Sequence, residues 1–199
     1  MSITTNTGEG TITVGANVTN HVHIFTLGVV DANGVTLTKE VPITVTCANT
    51  SFFVSDPTNQ NGRCASVQSS VQAAYQPFGD GFMLWKKNPG GFADILVFYN
   101  TGAYAYFPDW DGTAYQITDS PPDVMLPANG FGYVWNANAN VKSGLGYPTA
   151  AEQGYTATYQ SAIGYGKYET TFYYVTLPDG RRIRYAVGVT NGSLWGLVN

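Results

Sequence analysis

Hydrophobic and polar positions alternate over residues 9–46 with the period of two that marks β-strands. His23-Ile24-Phe25-Thr26-Leu27-Gly28-Val29-Val30 predicts one strand, and Val35 to Thr46, rich in β-branched residues, predicts its return. Asp31-Ala32-Asn33-Gly34 between them reads as a hairpin turn, with Asn33-Gly34 supplying its positive φ values. Thr11-Ile12-Thr13-Val14 reads as a further short strand. Pro42 cannot donate to a ladder, so it marks the returning strand as an edge or a bulge. The pattern breaks at 48–71, where Asp56-Pro57-Thr58-Asn59-Gln60-Asn61-Gly62 is the turn-rich centre of a connector.

From residue 72 the chain repeats itself. "AAYQPFGDGFMLWKK" (73–87) is echoed by "ATYQSAIGYGKYETT" (157–171), with Tyr75-Gln76 returning as Tyr159-Gln160, 84 residues on. Each copy leads to an aromatic, β-branched strand, Ile95–Tyr99 or Phe172–Val175. Each strand is followed by a glycine turn, Asn100-Thr101-Gly102 or Pro178-Asp179-Gly180, and a return. Two small β units therefore flank residues 108–156. That middle holds the best helix: Phe131, Val134, Trp135, Val141 and Leu145 fall at helical spacing, and the helix is expected to stop at Gly144 or Gly146, before Pro148.

Composition sharpens this picture. Charged residues are 11 % of the chain, against about 25 % for an ordinary soluble domain. The 14 Tyr, 10 Phe and 4 Trp supply a core and argue against disorder. A net charge of −4 offers no footprint for nucleic acid, and the one basic cluster, Arg181, Arg182 and Arg184, reads as the solvated rim of a turn. No run reaches the ~18 apolar residues of a membrane span. Met1-Ser2-Ile3-Thr4-Thr5 has neither the basic start nor the apolar run of a signal peptide, so for an exported chain the expectation is a signal that lies upstream or has been removed. The two cysteines, Cys47 and Cys64, sit in Ser/Asn/Pro/Gly-rich sequence and read as one disulfide closing a loop of 18 residues. In the chain-entropy account such a loop contributes roughly 3 kcal/mol.

Two stretches resemble known modules. "HIFTLGVVDANGVTLTKEVPITVTC" resembles the last two strands of a bacterial immunoglobulin-like or PKD-like surface domain. A full sandwich of that kind has roughly seven strands, so residues 1–47 are expected to supply only its closing part. Leu145-Gly146-Tyr147-Pro148-Thr149, then Glu152, then Tyr159-Gln160, with Val187, Gly188 and Trp195 at the close, resembles the LGFP repeat of bacterial secreted and cell-wall-associated proteins. That likeness covers residues 73–196, and its first unit, 73–107, matches only the strand half. It implies an extracellular module and no particular reaction. The expected fold is mainly β: a partial immunoglobulin-like β-sandwich (1–47), a linker with the disulfide (48–71), and a small repeated β-hairpin domain with one short helix (72–199).

The candidate chemistry is thin. His21 and His23 lie on one strand face, but a third metal ligand cannot be named. The Asp56–Gly62 run puts its glycine and carboxylates at the wrong positions for a calcium loop. Asn17, Asn49 and Asn191 stand in glycosylation-type triplets. Asp109-Trp110-Asp111-Gly112 reads as a turn that carries two carboxylates around a tryptophan, with Asp119 and Asp123 nearby. No nucleophile elbow, phosphate loop or zinc string appears. Trp110, Asp109, Asp111 and Tyr115 are therefore the candidate ligand-binding residues, with Trp85 and Trp135 assigned to the core. The function expected is a non-catalytic, secreted or cell-surface module, without cofactor or metal, that binds a polysaccharide or a surface protein. The alternatives are a filament subunit completed by strand exchange through residues 1–15, and a glycan-active enzyme using Asp109 or Asp111.

Overall fold

The computed structural model describes residues 22–44, 49, 65–118, 121–164, 170–187 and 195–198. They belong to two compact units, one with the N-terminal hairpin and one with the described residues from Ala65 onward. Thr11–Val14, His21, Asn17, Asn191, Gly188, Cys47 and Cys64 lie outside the described residues, and the expected disulfide and the segment 1–15 lie outside them too.

In the first unit, β1 (Val22–Val30) pairs antiparallel with β2 (Thr36–Thr44). Its turn differs from the one expected. Asp31 N–H donates to Val35 O at 2.9 Å, and Asp31 Oδ1 accepts from the N–H groups of Asn33 and Val35. Within this turn only Gly34 has a positive φ, +80°. The Asp31 carboxylate organises the loop from inside, so the turn is a three-residue loop ending in a left-handed glycine, and Asn33 keeps ordinary backbone angles. The register puts Phe25, Leu27 and Val29 on one face with Leu37, Val41 and Ile43. Leu27, Val29 and Leu37 are each more than half exposed.

The second unit is a curled eight-stranded antiparallel sheet. Its strands are β3 (Ser69–Phe78), β4 (Gly81–Lys87), β5 (Ala93–Tyr99), β6 (Tyr104–Trp110), β7 (Gln153–Gly164), β8 (Thr170–Thr176), β9 (Arg182–Val187) and β10 (Trp195–Val198). Strand β3 starts inside the stretch read as a connector, and Ala65 already bridges to Ala162. Serines 69 and 70 carry little strand signal of their own; pairing with β7 makes them strand. The spatial order β10-β9-β8-β7-β3-β4-β5-β6 is two four-stranded meanders joined back to back through their first strands.

The two meanders are related by the same 84-residue offset that the sequence shows. Gln72 and Thr156, one offset apart, are paired with each other at the join. Gln76 and Gln160 are both buried. Gln76 Nε2 donates to Ala150 O at 3.3 Å, and Gln160 Nε2 donates to Ser66 O at 2.7 Å. Each glutamine thus holds the segment that leads into the other half, and Ser66 and Ala150 are themselves 84 residues apart. The far edges close in the same reciprocal way. Tyr104 of β6 donates its hydroxyl to Ala186 O of β9. Trp195 of β10 donates Nε1–H to Tyr99 O of β5 at 2.8 Å, and its backbone N–H to Gly102 O at 2.9 Å.

Strand alternation sorts the side chains onto two faces. The inner face packs Phe82, Leu84, Leu96, Phe98, Tyr104, Val175, Ile183 and Tyr185, with Trp195 against them. Phe98 stacks on Phe82 at 4.8 Å and meets Tyr185 and Trp195 edge-on. The outer face of the first meander presents Met83, Ile95 and Val97 to two helices, α1 (Asn129–Ala137) and α2 (Ala139–Leu145). The helical segment expected here is present but broken at Asn138, whose φ of −122° and ψ of 100° are extended. Asn138 Nδ2 donates to Val134 O, closing α1, while its own carbonyl accepts Lys142 N–H, opening α2. Trp135, Val141 and Leu145 are buried against the sheet, as their spacing implies.

The Leu145–Thr149 string stitches this helical layer to the β3–β4 turn. Asp80 N–H donates to Leu145 O, Gly79 N–H to Tyr147 O, and Thr149 N–H to Pro77 O. Gly146, one of the two helix stops expected, has φ 70° and ψ −147°, a region open in practice to glycine alone. Its carbonyl accepts the Trp135 indole N–H at 2.8 Å. Tyr147 lies against the same indole at 5.4 Å. Among the described residues no helix is long and apolar enough to cross a membrane.

Candidate functional site

The site grows from an irregularity in β6. Ala93 pairs with Trp110 and Ile95 with Phe107, so Pro108 and Asp109 together face Asp94 as a β-bulge. Asp109 takes φ 60° to make it. The extra residue resets the alternation. Phe107 and Trp110, three residues apart, consequently both turn to the helix-covered outer face. Asp109 and Trp110 are therefore the bulged end of a strand, and Asp111 and Gly112 follow it, with Asp111 Oδ1 accepting the Thr113 N–H and Gly112 at φ 84°. The strain at Asp109 is what aims Trp110.

Helix α1 supplies the rest. Gly130 lies so close to β5 and β6 that a Cβ there would meet Ile95 Cδ1 at 2.7 Å and the Trp110 indole at 3.2 Å. Tyr133, one turn on and facing away from the core, has its ring 5.2 Å from that of Trp110. Tyr115 meets Tyr133 edge-on at 5.5 Å. The loop carrying Tyr115 is tied to α1 twice: Asn129 N–H donates to Tyr115 O, and Asn136 Nδ2 donates to Tyr115 Oη at 2.7 Å.

Trp110, Asp109, Asp111 and Tyr115 all line one hollow of about 530 Å³, together with Tyr133 and Pro108. Trp110 and Tyr115 are half-buried and Tyr133 is 47 % exposed, so the three rings present one accessible aromatic surface. On the other side of Trp110 lies a second hollow of about 500 Å³, lined by Trp85, Phe131, Glu152 and Tyr155 among others. Trp135 is core as expected, whereas Trp85 is half-buried and borders this second hollow. Asp123 borders neither hollow, and Asp119 lies outside the described residues.

The carboxylates differ in character. Asp111 is held below the usual carboxylate range, first by hydrogen bonding to Thr113, whose N–H lies 2.9 Å from Asp111 Oδ1. Desolvation pushes Glu152 above its usual value. An anionic Asp111 accepts hydrogen bonds and is poorly suited to donate a proton near neutral pH. Three partly exposed aromatic rings beside two carboxylate acceptors suit a ligand with apolar faces and hydroxyl edges. Tyr133 was the residue sequence reading missed. Its position between Phe131 and Trp135, off their shared face, was the available signal.

No family model matches the chain, and no curated protein or solved structure matches it either.

Proposed function

We propose that the second unit is a non-catalytic binding module that holds a polysaccharide across Trp110, Tyr133 and Tyr115. The observation that carries this reading is the partly exposed aromatic trio, held by α1 and flanked by Asp109 and Asp111. Sugar rings stack on such faces, and carboxylates accept from their hydroxyl groups. The low charge of the chain and the likeness of Leu145–Thr149 and its flanks to the LGFP repeat support an extracellular, wall-associated setting. An array of soluble and cell-wall polysaccharides tests the reading. Binding that falls at least ~10-fold in Trp110→Ala, about 1.4 kcal/mol, with no hydrolysis of the bound glycan, is the expected result. Turnover abolished by Asp111→Asn overturns it in favour of a glycan-active enzyme.

The hairpin supports a second reading, self-assembly. Among the described residues, Leu27, Val29 and Leu37 share one exposed face of a two-stranded sheet, and a hairpin with no further strand is marginal in water. Deleting residues 2–15 should then abolish assembly while sparing the second unit. A monodisperse monomer at high concentration would count against it.

A further inference from the structure

At one end of the inner face, where β4 turns into β5, three polar side chains converge. Lys86 and Asp94 are each only 7 % exposed, and their charged groups lie 3.1 Å apart. Asn88 sits between them. The Lys86 ammonium donates to Asn88 Oδ1, and Asn88 Nδ2 donates to Asp94 Oδ1 at 2.7 Å. Tyr106 donates its hydroxyl to the same Asp94 oxygen at 3.1 Å. Tyr159, Tyr173 and Tyr185 complete the wall of the cavity above, and Lys86 lies over the Tyr159 ring at 5.0 Å.

One carboxylate thus touches both a primary amine and the amide nitrogen of a neighbouring carboxamide. We propose that Lys86 and Asn88 become joined by a side-chain amide bond, formed within the folded chain with Asp94 as the proton carrier. Asp94 Oδ2 takes a proton from the Lys86 ammonium. The freed amine attacks Cγ of Asn88, so the Nζ–Cγ bond forms. The Cγ–Nδ2 bond then breaks, and nitrogen leaves as ammonia with one proton lost from Lys86. Asp94 finishes protonated, so the buried charges vanish together and net charge is conserved.

Two features of the chain favour this over a plain ion pair. The fold does not need charge at this position: counting along the paired strands from Leu84 and Val175, the second meander places Leu177 where the first has Lys86. Buried ion pairs are seldom more stabilising than the apolar residues that could replace them. In addition, Asn88 precedes Pro89, which has no N–H. The usual loss of ammonia from asparagine, by attack of the next backbone nitrogen, is closed here. Ammonia lost from Asn88 needs another nucleophile, and the Lys86 amine is in contact with the carboxamide.

Mass spectrometry of the full chain, folded, held until its mass is constant, then reduced and denatured, tests the bond. The expected mass is about 17 Da below that of the sequence, with the deficit confined to the fragment holding Lys86, Lys87 and Asn88. Lys86→Met and Asp94→Asn should both show the full mass of their sequences. If either variant fails to fold, acetylation of the denatured wild-type chain decides: Lys86 is expected to resist the reagent while Lys87 reacts. A full sequence mass in folded wild-type protein, a deficit located at an Asn-Gly pair instead, or a reactive Lys86 overturns the proposal.

Discussion

The two meanders of the curled sheet share a plan but not a surface. In both, a buried glutamine on the first strand holds the lead-in of the other half, and an aromatic on the fourth strand bonds a carbonyl of the other half's third strand. Their inner faces merge into one aromatic core. Only the first half is covered by α1 and α2, bulged at Asp109, and furnished with Trp110, Tyr133 and Tyr115. Among the described residues, only the first half carries a lysine–aspartate pair on its inner face, where the second has Leu177 and Arg181. The repeat therefore builds the frame. The insertion between the copies, and local departures from the repeat, build what is distinctive.

The largest effect should come from the shared core. Phe98 is fully buried and touches rings from both halves. Phe98→Ala should cost about 3–5 kcal/mol, read by denaturant unfolding, and should loosen both halves in one transition. Two separate transitions would break the claim of a common core.

Next comes the packing that is special to the first half. Gly130→Ala places a Cβ 2.7 Å from Ile95 Cδ1 and close to the Trp110 indole. It should destabilise by about 1–3 kcal/mol through overpacking and change Trp110 fluorescence. Gly154→Ala, where nothing lies within 4 Å of the added Cβ, is the control expected to leave Trp110 alone.

A subtler contrast lies in the two glutamines. Gln160 is fully buried, while Gln76 leaves its Oε1 without a partner among the described residues. Replacing Gln76 by Leu removes that orphan atom and partly offsets the lost bond to Ala150. Gln160→Leu should therefore cost more than Gln76→Leu, by about 1 kcal/mol, in thermal or denaturant melts. Equal costs would mean that the halves are energetically alike.

The smallest effect is on pH dependence. Glu152 has its folded pKa raised above the ordinary 4.5, so its contribution to stability is full below 4.5 and lost as pH rises through the raised value. Asp111 has its pKa lowered below the ordinary 3.8, so its contribution is present above 3.8 and lost as pH falls through the lowered value. Stability profiles of Glu152→Gln and Asp111→Asn should flatten in those opposite directions.

Much of the frame is legible in the sequence because it is local. Short runs of aromatic and β-branched residues mark the Ile95–Tyr99 and Phe172–Val175 strands, and Gly102 and Gly180 mark their turns with φ 87° and 84°. The Tyr-Gln echo marks the repeat. The candidate residues Trp110, Asp109, Asp111 and Tyr115 are legible as chemistry, and they do share one hollow. What joins distant segments is not legible. The Asp109 bulge depends on what β5 offers across the ladder. The closure by Tyr104 and Trp195 depends on carbonyls 82 and 96 residues away. The helix break at Asn138 depends on a side-chain bond that composition does not announce. Ser69 and Ser70 become strand only through the β7 partner.

The binding face is tested most directly by following the four indole N–H signals of the folded protein by NMR during titration with a polysaccharide fragment that the array identifies. Trp135 and Trp195 have their indole N–H groups tied to Gly146 O and Tyr99 O, so both should stay in place. The account predicts a saturable shift of the Trp110 signal that disappears, together with binding, in Trp110→Ala. Saturable binding that leaves the Trp110 signal unmoved, or that survives Trp110→Ala unchanged, would contradict it.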